Sequence, residues 1–158
     1  MVKPISLSIR VIVSQKKVRR VAMKDSLRPG ISRTNRVTID KDRTIGFMGE
    51  EGRVYATPRL VQDIEHTCRD LILEHADANE DSVGIDVSIR HLAPTLPGMT
   101  AEITATVSAV EGRKVTFEIA AKDNLEAICA GSHSRFVVDK GKTLERLKAK
   151  AAKYASSR

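Results

Sequence analysis

"ATPRLVQDIEHTCRD", residues 56–70, is the stretch whose reading decides the fold. Around it Leu60, Val61, Ile64, Cys68, Leu71, Ile72 and His75 recur at three- and four-residue steps. That is the spacing of one face of an α-helix. Thr57 is the expected N-cap, and Pro58 suits the first helical position, where a missing N–H is no loss. The pattern predicts a helix that frays near residues 77–79. No other long helical pattern precedes the C-terminal tail. Two polar residues in its middle, Glu65 and His66, need a reason.

Outward from the helix the period falls to two. In "SVGIDVSIRHLAPT", residues 82–95, Val83, Ile85, Val87 and Ile89 alternate with Gly84, Asp86, Ser88 and Arg90. The alternation predicts a strand with the first set on its apolar face. His91 has the parity of that face, an imidazole where a valine is expected. Pro94 and Pro97-Gly98 mark a turn. Ile103, Ala105 and Val107 resume the alternation, Glu111-Gly112 predicts a hairpin, and Val115, Phe117 and Ile119 point inward on the next strand. Asp123-Asn124 turns the chain into "EAICAGSHSRFVV", residues 126–138, the last strand. Before the helix, "RTNRVTID", residues 33–40, predicts a short strand. One strand, one helix and four strands joined mainly by tight turns make an antiparallel sheet with a helix packed on it, an α+β fold.

Composition narrows the function. A chain of 158 residues with 41% hydrophobic content supports one compact domain. No apolar run approaches the roughly 18 to 20 residues a membrane helix needs. Cys68 and Cys129 lack metal-like spacing and are expected to be free and buried, which places the chain in a reducing, cytoplasmic compartment. The net charge of +7 is uneven: +8 over residues 1–50, −7 over 51–139 and +6 over 140–158. A nucleic-acid-binding domain is expected to be basic across its face, so a specific nucleic-acid partner is not expected. Residues 1–26 form a basic extension; its first 22 residues hold six basic side chains and no acid, and Met23 opens what looks like an ordinary protein start. Residues 27–139 form the folded domain. Residues 140–158 form a basic tail, expected to be a surface helix with a thin stripe of Leu144, Leu147 and Ala151.

Three residues stand out as candidates for chemistry. Each also has an ordinary explanation: Thr57 as a cap, Glu65 as a solvated helix residue, His91 as a satisfied core histidine. The functional reading sets a carboxylate and an imidazole beside a reacting carbonyl. The carboxylate acts as base or nucleophile, and the imidazole holds or moves a proton near neutral pH. Eight helical residues separate Thr57 from Glu65, about 12 Å along the axis and about 80° in rotation. The two cannot touch within one chain, so the chemistry requires a dimer with antiparallel helices and sites at the interface. The four histidines have no metal-ligand spacing, and no metal or other cofactor is expected. There is no phosphate-binding glycine motif, and "GSH" at 131–133 is too short to carry meaning. Between glycines in "KDRTIGFMGEEGRVYATP", residues 41–58, Phe47 and Met48 either lid a pocket or plug one end of the core.

"YATPRLVQDIEHTC", "VGIDVSIRHLAPTLPGM", "VEGRKVTFEIAAKD" and "GSHSRFVV" together resemble hotdog-fold thioesterases of the fluoroacetyl-CoA thioesterase type, from Leu27 to Val138. The resemblance implies a long helix wrapped by an antiparallel sheet, two protomers joining their sheets, and hydrolysis of an acyl-CoA thioester to a free acid and CoA. It assigns a catalytic set to Thr57, Glu65 and His91. It places Gly84 near the thioester carbonyl and Arg135 where it would help position CoA. The family's fluoroacetyl-specific member has an aromatic gate before "ATP". Here Phe47 and Met48 lie close by, while Glu51 stands where the aromatic gate is expected, so a short or medium acyl-CoA is the expected substrate. The partners expected are therefore acyl-CoA and a second copy of the chain, with dimer against tetramer left open. The competing readings are a non-catalytic acyl-CoA binding module and a hotdog hydratase, for which no motif is seen.

Overall fold

The computed structural model describes residues 24–158; the basic stretch at 1–22 lies outside the described residues. Five strands form one antiparallel sheet: β1 (Ser32–Thr38), β2 (Glu80–His91), β3 (Thr100–Glu111), β4 (Lys114–Lys122) and β5 (Ala127–Asp139). Their order is β1-β3-β4-β5-β2, which leaves β1 and β2 at the edges. Helix α1 (Thr57–Leu73) lies between β1 and β2 in the chain and packs on one face of the sheet. Helix α2 (Lys140–Ser156) follows β5 directly. The chain has the α+β hotdog architecture.

The core is built by the two periods seen in the sequence. Leu60, Ile64, Cys68, Leu71 and Ile72 of α1 are buried, as are Ile103, Ala105 and Val107 of β3 and Val115, Phe117 and Ile119 of β4. Each large aliphatic side chain so buried stabilises the fold by about 2 kcal/mol relative to exposure. The β3–β4 hairpin closes at Gly112, whose φ of +62° is the left-handed conformation that glycine adopts without steric cost. Helix α1 ends at Leu73 with Glu74 as its C-cap, short of the expected fray, and His75 lies beyond it, with its Nδ1 2.7 Å from the Ser26 hydroxyl.

Two expectations fail in β2, for one reason. The β2–β5 register shifts between Gly84 and Asp86, so Ile85 is an extra residue, a β-bulge. Side chains directly opposed across a ladder share a face. Ser82 and Gly84 face Val137 and Arg135, and beyond the bulge Val87, Ile89 and His91 face His133, Gly131 and Cys129. These residues therefore lie together on the helix-facing side. Val83, opposite Phe136, falls on the outer side. An apparently unbroken alternation through Val83, Ile85, Val87 and Ile89 thus hides a change of phase. Val83, Ile85 and Val87 remain 46%, 51% and 41% exposed along this edge strand.

Helix α2 contrasts with α1. None of its residues is buried, and Leu144, Leu147 and Tyr154 are exposed. Its N-terminus is capped by Asp139, which accepts a hydrogen bond from the Lys142 amide. No described helix is long and apolar enough to cross a membrane.

Candidate active site

Thr57 does not cap α1. The N-cap is Ala56, which makes no side-chain cap bond, and Thr57 is the first helical residue. Its hydroxyl lies 2.8 Å from His91 Nδ1 instead. The helix start and the end of β2 therefore converge within one chain. Tyr55 holds the imidazole edge-on, with ring centroids 6.3 Å apart and planes at 82°. Tyr55 is itself fixed: its hydroxyl donates to Asp63 Oδ2 at 2.6 Å, and Arg43 Nε donates to the same oxygen at 3.1 Å.

The other imidazole nitrogen, His91 Nε2, is buried and has no hydrogen-bond partner, alone among the buried side-chain polar atoms of the described residues. An orphaned polar atom costs about 1–3 kcal/mol. Burial also lowers the His91 pKa from its ordinary 6.5, so the ring is neutral at pH 7. The pair borders an open cavity of about 410 Å³, whose walls include Ile45, Phe47, Val54, Ala93 and Pro94. Phe47 is 84% exposed at its rim. It is no core plug. Met48 does not line the cavity and packs against Gly52, where an added Cβ would sit 2.6 Å from Met48 Cβ.

Glu65 belongs to a second cluster. It is half-buried, whereas neighbouring His66 is exposed. A Cβ added at Gly84 would lie 2.5 Å from Glu65 Oε1 and 3.3 Å from His133 Cε1. Only glycine leaves room for the carboxylate to rest against β2. His133 is buried, with Nδ1 donating to the Asp86 carbonyl at 2.8 Å across the bulge. Arg135, 5% exposed, turns its donors inward. Nε donates to Ser82 Oγ at 2.8 Å, Nη2 to the Ser82 carbonyl at 2.7 Å, and Nη1 to the Glu65 carbonyl at 3.4 Å and His133 Nε2 at 3.3 Å. Burial lowers the pKa of Arg135, against the pull of the Glu65 carboxylate. His133 is likewise lowered, mainly by burial, and stays neutral between its donor and its acceptor.

The structure thus pairs Thr57 with His91, and Glu65 with Gly84 and Arg135. Both pairs hang on one continuous helix, with Thr57 and Glu65 about 12 Å apart along it. Sequence reasoning missed His133, dismissed with its short motif, and also Tyr55, Asp63 and Ser82. The signal for His133 was its parity with Arg135 and Val137 on β5. Neither cysteine competes as a nucleophile: burial pushes the Cys68 thiol up to about 12 and the Cys129 thiol up to about 11. No cluster of three or more potential metal ligands occurs among the described residues.

The profile of the fluoroacetyl-CoA-specific thioesterase family, FlK, matches residues 39–141. The chain belongs to this family. It is 30% identical over 123 residues to the fluoroacetyl-CoA thioesterase of Streptantibioticus cattleyicolor, covering 73% of this chain and 88% of that protein. Among solved structures, a fluoroacetyl-CoA-specific thioesterase FlK variant in complex with fluoroacetate and CoA superposes with a TM-score of 0.69 at 27% identity, over 74% of this chain and 99% of the other. A thioesterase superfamily member from Thermus thermophilus superposes with a TM-score of 0.73 at 26% identity, over 82% and 96%. The family is one of acyl-CoA thioesterases, and thioester hydrolysis is the chemistry the two clusters must be measured against.

Proposed function

We propose that the protein hydrolyses short acyl-CoA thioesters at sites shared between two copies of the chain. Each site takes Thr57 and His91 from one protomer and Glu65 and Gly84 from its partner. The observation that carries this reading is the buried, unpartnered His91 Nε2 beside a cavity, with Nδ1 already engaged by Thr57. A neutral imidazole whose Nδ1 accepts from the Thr57 hydroxyl carries its proton on Nε2. It then has one donor to offer, and a thioester carbonyl oxygen is the acceptor it lacks. Each chain holds a polariser without a nearby carboxylate and a carboxylate without a nearby polariser. The exposed apolar row on the edge strand β2 supports dimerisation through that edge.

In this mechanism the Nε2 proton stabilises charge on the carbonyl oxygen as the carbon becomes tetrahedral, while the Thr57 hydroxyl, donating to Nδ1, fixes the tautomer that offers it. The Glu65 carboxylate supplies the attack. It either takes a proton from a water whose oxygen bonds to the carbon, or bonds to the carbon itself to give an anhydride that water then opens. In both routes the C–S bond breaks with its electron pair on sulfur, and the thiolate gains a proton. Arg135 touches neither carbonyl nor thiol. It positions Glu65 by holding the carbonyl of that residue and the strand opposite. Phe47 at the rim bounds a small acyl group, and the exposed Glu51, in the short helical turn Glu50–Gly52, gives no aromatic closure. The substrates expected are short or medium acyl-CoAs, without strict fluoroacetyl selectivity.

The test is thiol release across a panel from acetyl- to palmitoyl-CoA with fluoroacetyl-CoA included. Turnover of short esters that collapses in both Glu65→Ala and His91→Ala is the expected result. A folded dimer with no turnover of any ester would contradict it.

A further inference from the structure

Asp63 sits on the buried face of α1, among Leu60, Ile64 and Thr67, and is 6% exposed. A buried carboxylate is costly unless it is paired, and an apolar side chain there would pack at no such cost. Its partners show what it holds. Oδ2 accepts from the Tyr55 hydroxyl at 2.6 Å and from Arg43 Nε at 3.1 Å. Burial and the Asp63 charge push the Tyr55 pKa up, so the phenol keeps its proton and donates at neutral pH. Arg43 is fixed from the other side by Asp40, to which Nη1 donates at 2.8 Å.

Arg43 and Tyr55 stand at the two feet of one flap, residues 43–56. Its two segments run side by side. The Ala56 amide donates to the Arg43 carbonyl at 2.8 Å, the Ile45 amide donates to the Val54 carbonyl at 3.0 Å, and Thr44 bridges Tyr55. The tip between them carries the exposed Phe47 and Met48. None of residues 41–54 is buried. Two short paired segments alone are marginal in water, so the flap draws little stability from itself or from apolar packing. Polar contacts hold its feet. Both side chains converge on one oxygen of Asp63, and the Tyr55 amide donates to the Thr95 carbonyl at 2.9 Å. The flap is also a wall of the site. Ile45, Phe47, Val54 and Tyr55 line the cavity that Thr57 and His91 border, and the Tyr55 ring meets the His91 imidazole edge-on.

We propose that Asp63 is a positioning residue of the thioesterase site: its carboxylate staples both feet of the flap to α1 and so sets the width of the acyl cavity, without touching substrate. The proposal rests on the thioesterase reading for the reaction it serves, whereas the staple itself is a property of the fold. Two hydrogen bonds that end on one atom act as a unit, so cutting either foot frees the same wall.

The experiment cuts one foot at a time. Tyr55→Phe keeps the ring beside His91 and removes only the hydroxyl, and Arg43→Met removes the other donor. Asp63→Asn is the conservative variant, because its amide oxygen takes the place of Oδ2 and accepts from both. Amide hydrogen exchange reads the flap without any need for turnover. At Ile45 and Ala56 it is expected to speed up about tenfold in Tyr55→Phe and in Arg43→Met, and little further in the double variant, with β3 and β4 unchanged. In parallel, the preference in kcat/KM for the best acyl-CoA over its longer homologues should fall about threefold or more in both variants and be kept in Asp63→Asn. Unchanged exchange at the flap would overturn the proposal. So would faster exchange in flap and sheet alike, which is what a merely structural carboxylate gives, and so would a freed flap with the acyl preference intact. A wild type that turns over no ester would refute the thioesterase reading, and the exchange arm would still decide whether Asp63 holds the flap.

Discussion

The two halves of the site are built on opposite principles. Around Thr57 and His91 the polar groups are under-satisfied: Thr57 is exposed, and His91 Nε2 has no partner. Around Glu65 the polar groups are heavily braced, with the four donor contacts of Arg135 running to Ser82, Glu65 and His133. The first half waits for a ligand, and the second fixes the helix and strand backbone from which the Glu65 carboxylate projects. The difference separates what a substitution should do. Changes in the first half should alter catalysis and spare stability, and changes to the bracing should do the reverse.

The largest effect expected is at the Glu65 carboxylate itself. Glu65→Gln keeps the shape and removes the charge, and should lower kcat/KM about 10³-fold with the melting temperature nearly unchanged. Gly84→Ala tests position rather than charge. Its methyl would meet Glu65 Oε1 at 2.5 Å, so the carboxylate must swing away. Steady-state kinetics should show a loss of about 10²-fold, mostly in kcat, in a protein that still folds. Arg135→Met should reverse the balance. It strands Ser82 Oγ and two backbone carbonyls, and should cost about 3 kcal/mol in denaturant unfolding. A stability loss well under 1 kcal/mol would show that the bracing is not structural.

The smallest effect concerns pH. The folded-state pKa values of His91 and His133 are both lowered by burial from 6.5. The unfolded chain therefore binds protons first as pH falls. The stability these neutral rings contribute is fully present above about pH 6.5 and is lost as pH drops through their folded values. Melting temperature should decline from pH 7 to pH 5. The decline should be shallower in His91→Ala, which removes one of the two groups.

Most of the architecture was legible because it rests on period. The helical stripe from Leu60 to Ile72 and the alternation in β3 and β4 placed the core directly. What the sequence concealed was the bulge at Ile85. A bulge inserts a residue without breaking a hydrophobic pattern when the inserted residue is itself apolar. It moved Gly84 and Ser82 to the inner face and Val83 to the outer one. The candidate residues were legible, and the way the fold pairs them was not. Thr57 looked like a cap because its type and position fit one, whereas Ala56 fills that place and the hydroxyl goes to His91. The bracing by His133 and Arg135 depends on partners from β2 and α1 that no local pattern reveals.

The claim that each site draws on two chains has one direct test. His91→Ala and Glu65→Ala chains, each inactive alone, are unfolded, mixed in equal amounts and refolded together. Random pairing makes half the dimers mixed, and each mixed dimer regains one intact site of two. The account predicts thiol release at about a quarter of the wild-type rate. No recovery in a refolded mixture that contains the mixed dimer would mean that His91 and Glu65 of the same chain act together, and the shared site would have to be abandoned.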